Sequence, residues 1–360
     1  MASGAPSNHE KKAGAEPHPC LIVALLSTGE TVRREGDEPA DFVQLVSNST
    51  ISWIDYASTD LQKDLPRVSQ QLGFSGALVS PLMADPPSDY EDLTSELGVR
   101  LPAVKVKEFD VQTSPLVVLL RENLVFTVHT AEIVRMRIFS RYAEIFMRKI
   151  PLEASPRERL TLVLARLVDE NNTANFDHLR EIEEQGDYLS KELMDTQTPP
   201  AKLGPEIYKM KHALIEYLGA LWATVDVLNA LRYGDAELLS DDPKILQKLA
   251  ILVSDVNQQI NLAEHLSDVL ASGLEVLQSI YNNQLQALNN RLALVTAYLT
   301  ILGTAALVPN TIATILSNSA FAMTSSDIGW YMVLLALSTL ASTYLAYRWA
   351  KRRGLLPKIT

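Results

Sequence analysis

Residues 292–326 read LALVTAYLTILGTAALVPNTIATILSNSAFAMTSS and contain no charged side chain. Stepping from Gln286 by alternating fours and threes picks out Asn290, Ala293, Ala297, Thr300, Thr304, Leu307, Thr311, Thr314 and Asn318. Small and hydroxyl-bearing residues dominate that face, while Leu292, Leu294, Val295, Leu299, Ile301, Leu302, Val308, Ile312, Ile315 and Leu316 cover much of the rest. A helix patterned this way needs lipid or protein on one side and a polar environment on the other. A hydrocarbon core of about 30 Å takes roughly 20 helical residues, and the run is longer than that. It reads as a pore-lining transmembrane helix. The competing reading returns the threonine hydroxyls to carbonyls of their own helix or uses the small residues to join helices.

The rest of the chain divides around this run. A mean hydropathy of +0.04 averages two unlike pieces. Residues 1–290 carry 26 Lys and Arg against 42 Asp and Glu, whereas Arg348, Lys351, Arg352, Arg353 and Lys358 follow Asp327 with no further acid. A second uncharged run, Ile328 to Tyr347, has Trp330 and Tyr331 at one end and Tyr344, Tyr347 and Trp349 at the other, suiting two membrane interfaces. The short link between the runs makes them a hairpin. Arg291 and Arg348 flank its open ends, so the positive-inside tendency places both termini in the cytoplasm of a multi-pass plasma (inner) membrane protein. The acidic soluble part offers no basic surface for phosphates, which argues against nucleic acid. Cys20 is the one cysteine, so there is neither an intrachain disulfide framework nor a cysteine zinc cage. Met1 to Pro19 lacks an apolar signal-peptide core and reads as a disordered tail.

From Leu21 to His129, short apolar runs alternate with turn and charged residues. Leu21–Leu26, Ile51–Ile54, Ala77–Val79, Ala103–Phe109, Pro115–Leu120 and Leu124–Val128 are predicted strands. Asp41–Val46, Thr59–Leu72 and Asp89–Leu97 are predicted helices, giving an α/β domain. No phosphate-binding glycine motif occurs. Beyond Ala131 the pattern is helical. Ser155-Pro156 opens a helix continuing from Arg157 through Met194, with the acidic stretch Glu181, Glu183, Glu184 and Asp187 on a solvated face. Another helix runs from about Pro205 to Tyr233. Asp242-Pro243 starts the last soluble helix, with Asp placed to cap and Pro at the first position. Leu249, Leu252, Val256, Ala263, Leu266, Leu270, Leu277 and Ile280 keep a helical spacing that merges with the polar stripe, predicting one helix on the order of 100 Å long. Such a rod must pack on copies of itself or on the other helices, and its polar stripe is best hidden around a symmetry axis.

The expected organisation is a disordered tail at 1–19, an α/β cytoplasmic domain at 20–130 and a helical cytoplasmic domain and stalk at 131–290. A pore helix follows at 291–318, then an external loop at 319–328, a second transmembrane helix at 329–349 and a basic cytoplasmic tail at 350–360. Six scattered histidines and one cysteine give no catalytic constellation, and His265 beside Glu264 reads as a surface group, so an enzyme is not expected.

With these features in hand, the sequence resembles the CorA superfamily of divalent-cation channels over nearly its whole length. Ile51-Ser52-Trp53-Ile54-Asp55 is similar to that family's early strand signature, and LLRENLVFTVH, Leu119 to His129, is similar to its later strand pair ending in Thr-Val-His. The order of α/β domain, long helix pair, giant helix, membrane hairpin and basic tail agrees. The resemblance implies a CorA-like funnel: a homopentamer with the first membrane helix lining the pore and the second outside it. One departure stands out. Members of the family end the pore helix in Gly-Met-Asn, and aligning Pro309 and Thr311 on the family's Pro-x-Thr places Asn318-Ser319-Ala320 there instead.

The expected function is passive transport of divalent metal cations, Mg²⁺ first and Co²⁺, Ni²⁺ or Zn²⁺ beside it, with no cofactor other than the ion itself. Asn290, Thr300, Thr304, Leu307, Val308, Thr311, Thr314 and Asn318 are the expected ion pathway, with Leu307 or Val308 its apolar constriction. Pro309 frees the carbonyl of Ala305 to kink the helix or face the ion path. Family members hold the closed state with divalent ions between subunits. The corresponding residue here is Gln259, so Asp255 and Asp268 are the candidate regulatory ligands. The lost tripeptide keeps two alternatives open: a channel for Zn²⁺, Ca²⁺ or a monovalent ion, or a non-conducting membrane scaffold or sensor.

Overall fold

The computed structural model describes residues 19–194, 200–233, 236–317, 324 and 326–352. The strands β1 (Cys20–Leu26) and β2 (Thr31–Gly36) form a hairpin, and a 3-10 turn at Pro39–Phe42 with α1 (Val43–Ser47) leads to β3 (Ser49–Ser58). Then come α2 (Leu61–Gln71), α3 (Gly76–Leu82), β4 (Tyr90–Asp92), β5 (Glu96–Lys107), β6 (Asp110–Arg121) and β7 (Leu124–Thr130). All seven strands share one sheet in the order β2-β1-β3-β7-β6-β5-β4. Its centre pairs β3 with β7 in parallel, and the other pairings are antiparallel.

The central strands are buried on both faces, which is why β1 and the start of β7 read as continuous apolar runs instead of alternating, while β3 and β7 also bury the polar Ser52, Asp55, Thr127 and His129. One face packs on Leu65, Val68, Leu78 and Leu82 of α2 and α3. Gly98 of β5 permits that approach, since a Cβ there would sit 2.7 Å from Leu82 Cδ1. On the other face Trp53 meets Phe139 edge-on, with ring centroids 4.6 Å apart.

Two short segments differ from the sequence expectation. Ala77–Val79, predicted as a strand, lies in α3, where the Ser75 hydroxyl caps the Leu78 amide and Glu96 in turn accepts from the Ser75 amide and hydroxyl at 3.0 and 2.7 Å. Three apolar residues carry no period, and the cap decides. Asp89–Leu97, predicted as a helix, forms β4 and the start of β5; Asp92 Oδ1 accepts from the Thr94 amide at 2.8 Å across a turn in which Thr94 has φ 69°. The strand β2, sequence TVRREG, escaped sequence reading because it is a charged sheet edge without an apolar run.

The helical part comprises α4 (Val134–Ser140), α5 (Ala143–Arg148), α6 (Pro156–Asn172), α7 (Asn175–Met194), α8 (Pro200–Arg232), α9 (Pro243–Leu316) and α10 (Ile328–Arg352). Ser155 and Glu158 close a capping box at the start of α6. The single helix predicted through Met194 is two, broken at Thr173-Ala174, where the Thr173 hydroxyl donates to Asp169 O at 2.8 Å. Asp242 caps α9 by accepting from the Lys244 amide at 2.7 Å, and α9 then runs for 74 residues.

Internal contacts divide the chain into Met1–Gly273 and Leu274–Thr360. Within the first unit, α8 is apolar enough to cross a membrane, but half of its most apolar window is buried, so it serves as a core helix. The apolar windows of α9 and α10, with mean hydropathies of 1.9 and 1.5, are almost uncovered by the chain itself. Those two helices have the length and composition of membrane spans. The expected tail at 1–19 (apart from residue 19), the loop at 319–328 (apart from 324 and 326–328) and 353–360 of the basic tail lie outside the described residues.

Candidate functional site

Asn290, Thr300, Thr304, Leu307, Thr311 and Thr314 all lie on α9 and are exposed. Every threonine of the stripe spends its hydroxyl proton on its own helix. Thr300 donates to Thr296 O at 2.8 Å, Thr304 to Thr300 O at 2.6 Å, Thr311 to Leu307 O at 2.7 Å and Thr314 to Asn310 O at 2.8 Å. The competing sequence reading, hydroxyls returning to their own carbonyls, is therefore what the helix does. The two readings are compatible, because a hydroxyl that has given its proton inward keeps its oxygen lone pairs outward. The outward face of these residues accepts and does not donate. Leu307 continues the stripe, while Val308 is displaced from it by one residue, about 100° around the helix. Asn318 lies outside the described residues.

Proline 309 has no amide proton, so the carbonyl four residues earlier, Ala305 O, loses its helical donor. Expected to kink the helix or face the ion path, that carbonyl turns to α10 instead of the polar stripe. It accepts from the Ser342 hydroxyl of α10 at 2.9 Å, and Ala305 is 4% exposed. On α10 the half-buried or buried positions include Ser338, Ser342, Ala346 and Ala350, small residues at four-residue spacing that let two backbones come close. Thr304 and Thr311 precede Ala305 and Ile312 by one residue, so the stripe stands about 100° around α9 from the side facing α10. Ser342 was missed in the sequence because its partner is a carbonyl; the legible signal was a small-residue repeat opposite a proline. Asp327, the one acid of the link, accepts from the Thr324 amide and hydroxyl at 2.9 and 2.7 Å and from Trp330 Nε1 at 3.3 Å. Its carboxylate ties the end of the link to the indole of Trp330 in the first turn of α10.

In the first unit, Asp255 lines a pocket with Arg166, Asp169 and Lys248, between α6 and α9. Burial pushes the Asp169 carboxyl above its usual range; Arg166 opposes this, and the charges of Glu170 and Asp255 add to it. Asp268 is exposed, thirteen residues further along α9, and is not part of that pocket. Gln259 is 2% exposed, its Oε1 accepting from Asn175 Nδ2 at 3.0 Å. Among the described residues no cluster of three or more His, Cys, Asp or Glu side chains forms a ready metal cage.

The two quoted strand motifs meet at the sheet centre. Asp55 of β3 stands opposite Thr127 of β7, and Ala57 opposite His129. Trp53 Nε1 donates to Thr127 Oγ1 at 3.1 Å, and Thr127 Oγ1 donates to Asp55 Oδ1 at 2.5 Å. His129 Nε2 lies 3.2 Å from Asp55 Oδ1, outside hydrogen-bonding geometry, while Nδ1 is 2.7 Å from Thr130 O. Burial alone would lower the proton affinity of His129, but the Asp55 charge and the Thr130 carbonyl more than offset it, and the pKa is raised.

A family profile described as CorA-like Mg2+ transporter protein matches residues 48–352, spanning both motifs and both apolar helices. The chain belongs to this family. No curated protein sequence matches it significantly. The complete CorA magnesium transporter structure from Methanocaldococcus jannaschii has a TM-score of 0.63 at 18% identity, covering 91% of this chain and 96% of that one. The full-length CmaX protein gives 0.58 at 16% identity over 94% of this chain and 100% of that one. The ZntB cytoplasmic domain from Vibrio parahaemolyticus gives 0.54 at 13% identity over 73% of this chain and 98% of that one. At these identities the likeness is one of fold: the CorA order of an α/β sheet domain, a long helix and a C-terminal helix.

Proposed function

We propose that this CorA-family chain conducts divalent metal cations passively across a membrane, with Mg²⁺ as its leading substrate. The observation that carries this reading is the spent hydroxyl protons of Thr300, Thr304, Thr311 and Thr314, which leave a file of neutral oxygen acceptors on a helix face free of fixed charge. Mg²⁺ gives up its water reluctantly, so weak neutral acceptors that handle the hydrated ion suit it better than a carboxylate cage. A single copy of α9 cannot enclose a path. Symmetric association, as the pentamer of the family resemblance, would bring the stripes around one axis with α10 outside and Leu307 as a hydrophobic narrowing. Both termini then face the cytoplasm of the plasma membrane. Asp255 and Asp268 are proposed to sense cytoplasmic divalent ions, and the half-buried charge of Asp255 beside Asp169 supports the former.

A second reading, a path for Zn²⁺, Co²⁺, Ca²⁺ or a monovalent ion, is favoured by Asn318-Ser319-Ala320 in place of Gly-Met-Asn. Purified full-length protein in liposomes should pass Mg²⁺ faster than protein-free liposomes. Passage of Co²⁺, Zn²⁺ or Na⁺ without Mg²⁺ would select the second reading, and passage of no ion would leave a membrane scaffold.

A further inference from the structure

We propose that Ser342 is a latch on a proline hinge in α9, a positioning residue that holds the segment carrying Leu307, Thr311 and Thr314 by tying the Ala305 carbonyl to α10. The inference rests on the reading that α9 lines the ion path, but its first test does not depend on conduction.

The Ser342 hydroxyl has one proton and two acceptors within reach. Ala305 O is 2.9 Å away on α9, and Thr339 O is 3.0 Å away on its own helix. Their needs differ. Thr339 O lies inside a regular helix and already accepts the Thr343 hydroxyl at 2.7 Å. Ala305 O has lost its helical donor to Pro309, and in a hydrocarbon surrounding a carbonyl without a partner is costly. The proton is worth more on Ala305, and the contact closes across the two helices. When it opens, the hydroxyl turns to Thr339 O and remains satisfied, so the switch strands only the Ala305 carbonyl. These are the elements of a two-state device: a hinge that cannot seal itself, and a donor with a second resting place.

Closed, the latch fixes the geometry of the unsealed turn at 305–309 and with it the direction of the helix beyond. Leu307 lies two residues past the tied carbonyl, and Thr311 and Thr314 lie about one and two turns past Leu307. Open, the outer segment can tilt about the unsealed turn 305–309, which contains Leu307, and this alters the width of the path there and at Thr311 without moving any charge.

A double-mutant cycle in the full-length purified protein separates the latch from simple packing. Pro309→Ala supplies the missing amide, so Ala305 O no longer needs Ser342. Hydrogen exchange of the amides over residues 303–316 should be roughly 10-fold faster in Ser342→Ala than in the parent, the scale of one net hydrogen bond. In the Pro309→Ala background, adding Ser342→Ala should change exchange less than about 2-fold. An unchanged rate in Ser342→Ala, or an equal acceleration in both backgrounds, overturns the latch, because a packing role does not depend on Pro309. In liposomes, the Ser342→Ala change in Mg²⁺ flux should likewise vanish in the Pro309→Ala background. A parent that passes no ion defeats the pathway reading, and the exchange cycle then still decides the latch.

Discussion

Asn175 Nδ2 donates to Gln259 Oε1 at 3.0 Å in a core where the two residues are 5% and 2% exposed, joining α7 to α9. The Asn175 backbone carbonyl also accepts from the Tyr217 hydroxyl of α8 at 3.1 Å, so three helices meet at one residue. Position 259, where the family resemblance placed a regulatory ligand, is thus occupied by an internal amide pair. Gln259→Leu should leave the Asn175 amide with only its long 3.5 Å contact to Asn172 Oδ1 and cost about 1–3 kcal/mol. Denaturant unfolding of the full chain checks this, and a cost near zero would mean the pair is replaceable.

The lone thiol, Cys20, is fully buried at the start of β1, and burial together with the charges of Asp55, Glu38 and Asp41 pushes its pKa up. A thiol held neutral and covered does not react. Iodoacetamide at pH 8 should leave Cys20 unmodified in the native protein and label it fully in denaturant, as read by intact mass. Rapid native labelling would contradict the packing of β1.

Because the folded state raises the pKa of His129, the native protein holds a proton that the unfolded chain releases near pH 6.5. The stabilisation is fully present below about pH 6.5 and is lost as pH rises through the elevated folded value, by at most about 1.4 kcal/mol per pH unit. Thermal unfolding between pH 6 and pH 9 should therefore show a decline that His129→Gln flattens. A decline of the same size in the variant would place the titrating group elsewhere.

Regulation at Asp255 predicts that internal Mg²⁺ inhibits flux in the parent and inhibits Asp255→Lys less. Asp255 shares its pocket with Asp169, Arg166 and Lys248 of its own chain, so a divalent ion there competes with two resident cations. Equal inhibition in parent and variant removes Asp255 as the sensor.

Long periodic elements were legible because burial writes itself into spacing. The α9 boundary followed from Asp242-Pro243, and β7 from a run of Val, Phe and Thr. The charged edge β2 and the helix α3 were not legible, since neither has a pattern long enough to carry a period. At the candidate site, the stripe was visible as residue types, but the direction of each hydroxyl proton was not. The Ala305 carbonyl was foreseen as freed by Pro309; that Ser342 takes it depends on the register of two helices thirty-seven residues apart, which no local spacing encodes.

The central claim is that the threonine oxygens of α9 form the cation path. Mg²⁺ influx into liposomes should be measured for the parent, Thr304→Val, Thr311→Val and, on α10, Tyr344→Phe, which removes an exposed hydroxyl that takes no part in the Ser342 contact. Valine keeps the shape of threonine and removes the acceptor, so Thr304→Val and Thr311→Val should each cut influx about 10-fold, a barrier rise of about 1.4 kcal/mol, while Tyr344→Phe matches the parent. Parent-level influx in both α9 variants would contradict the account.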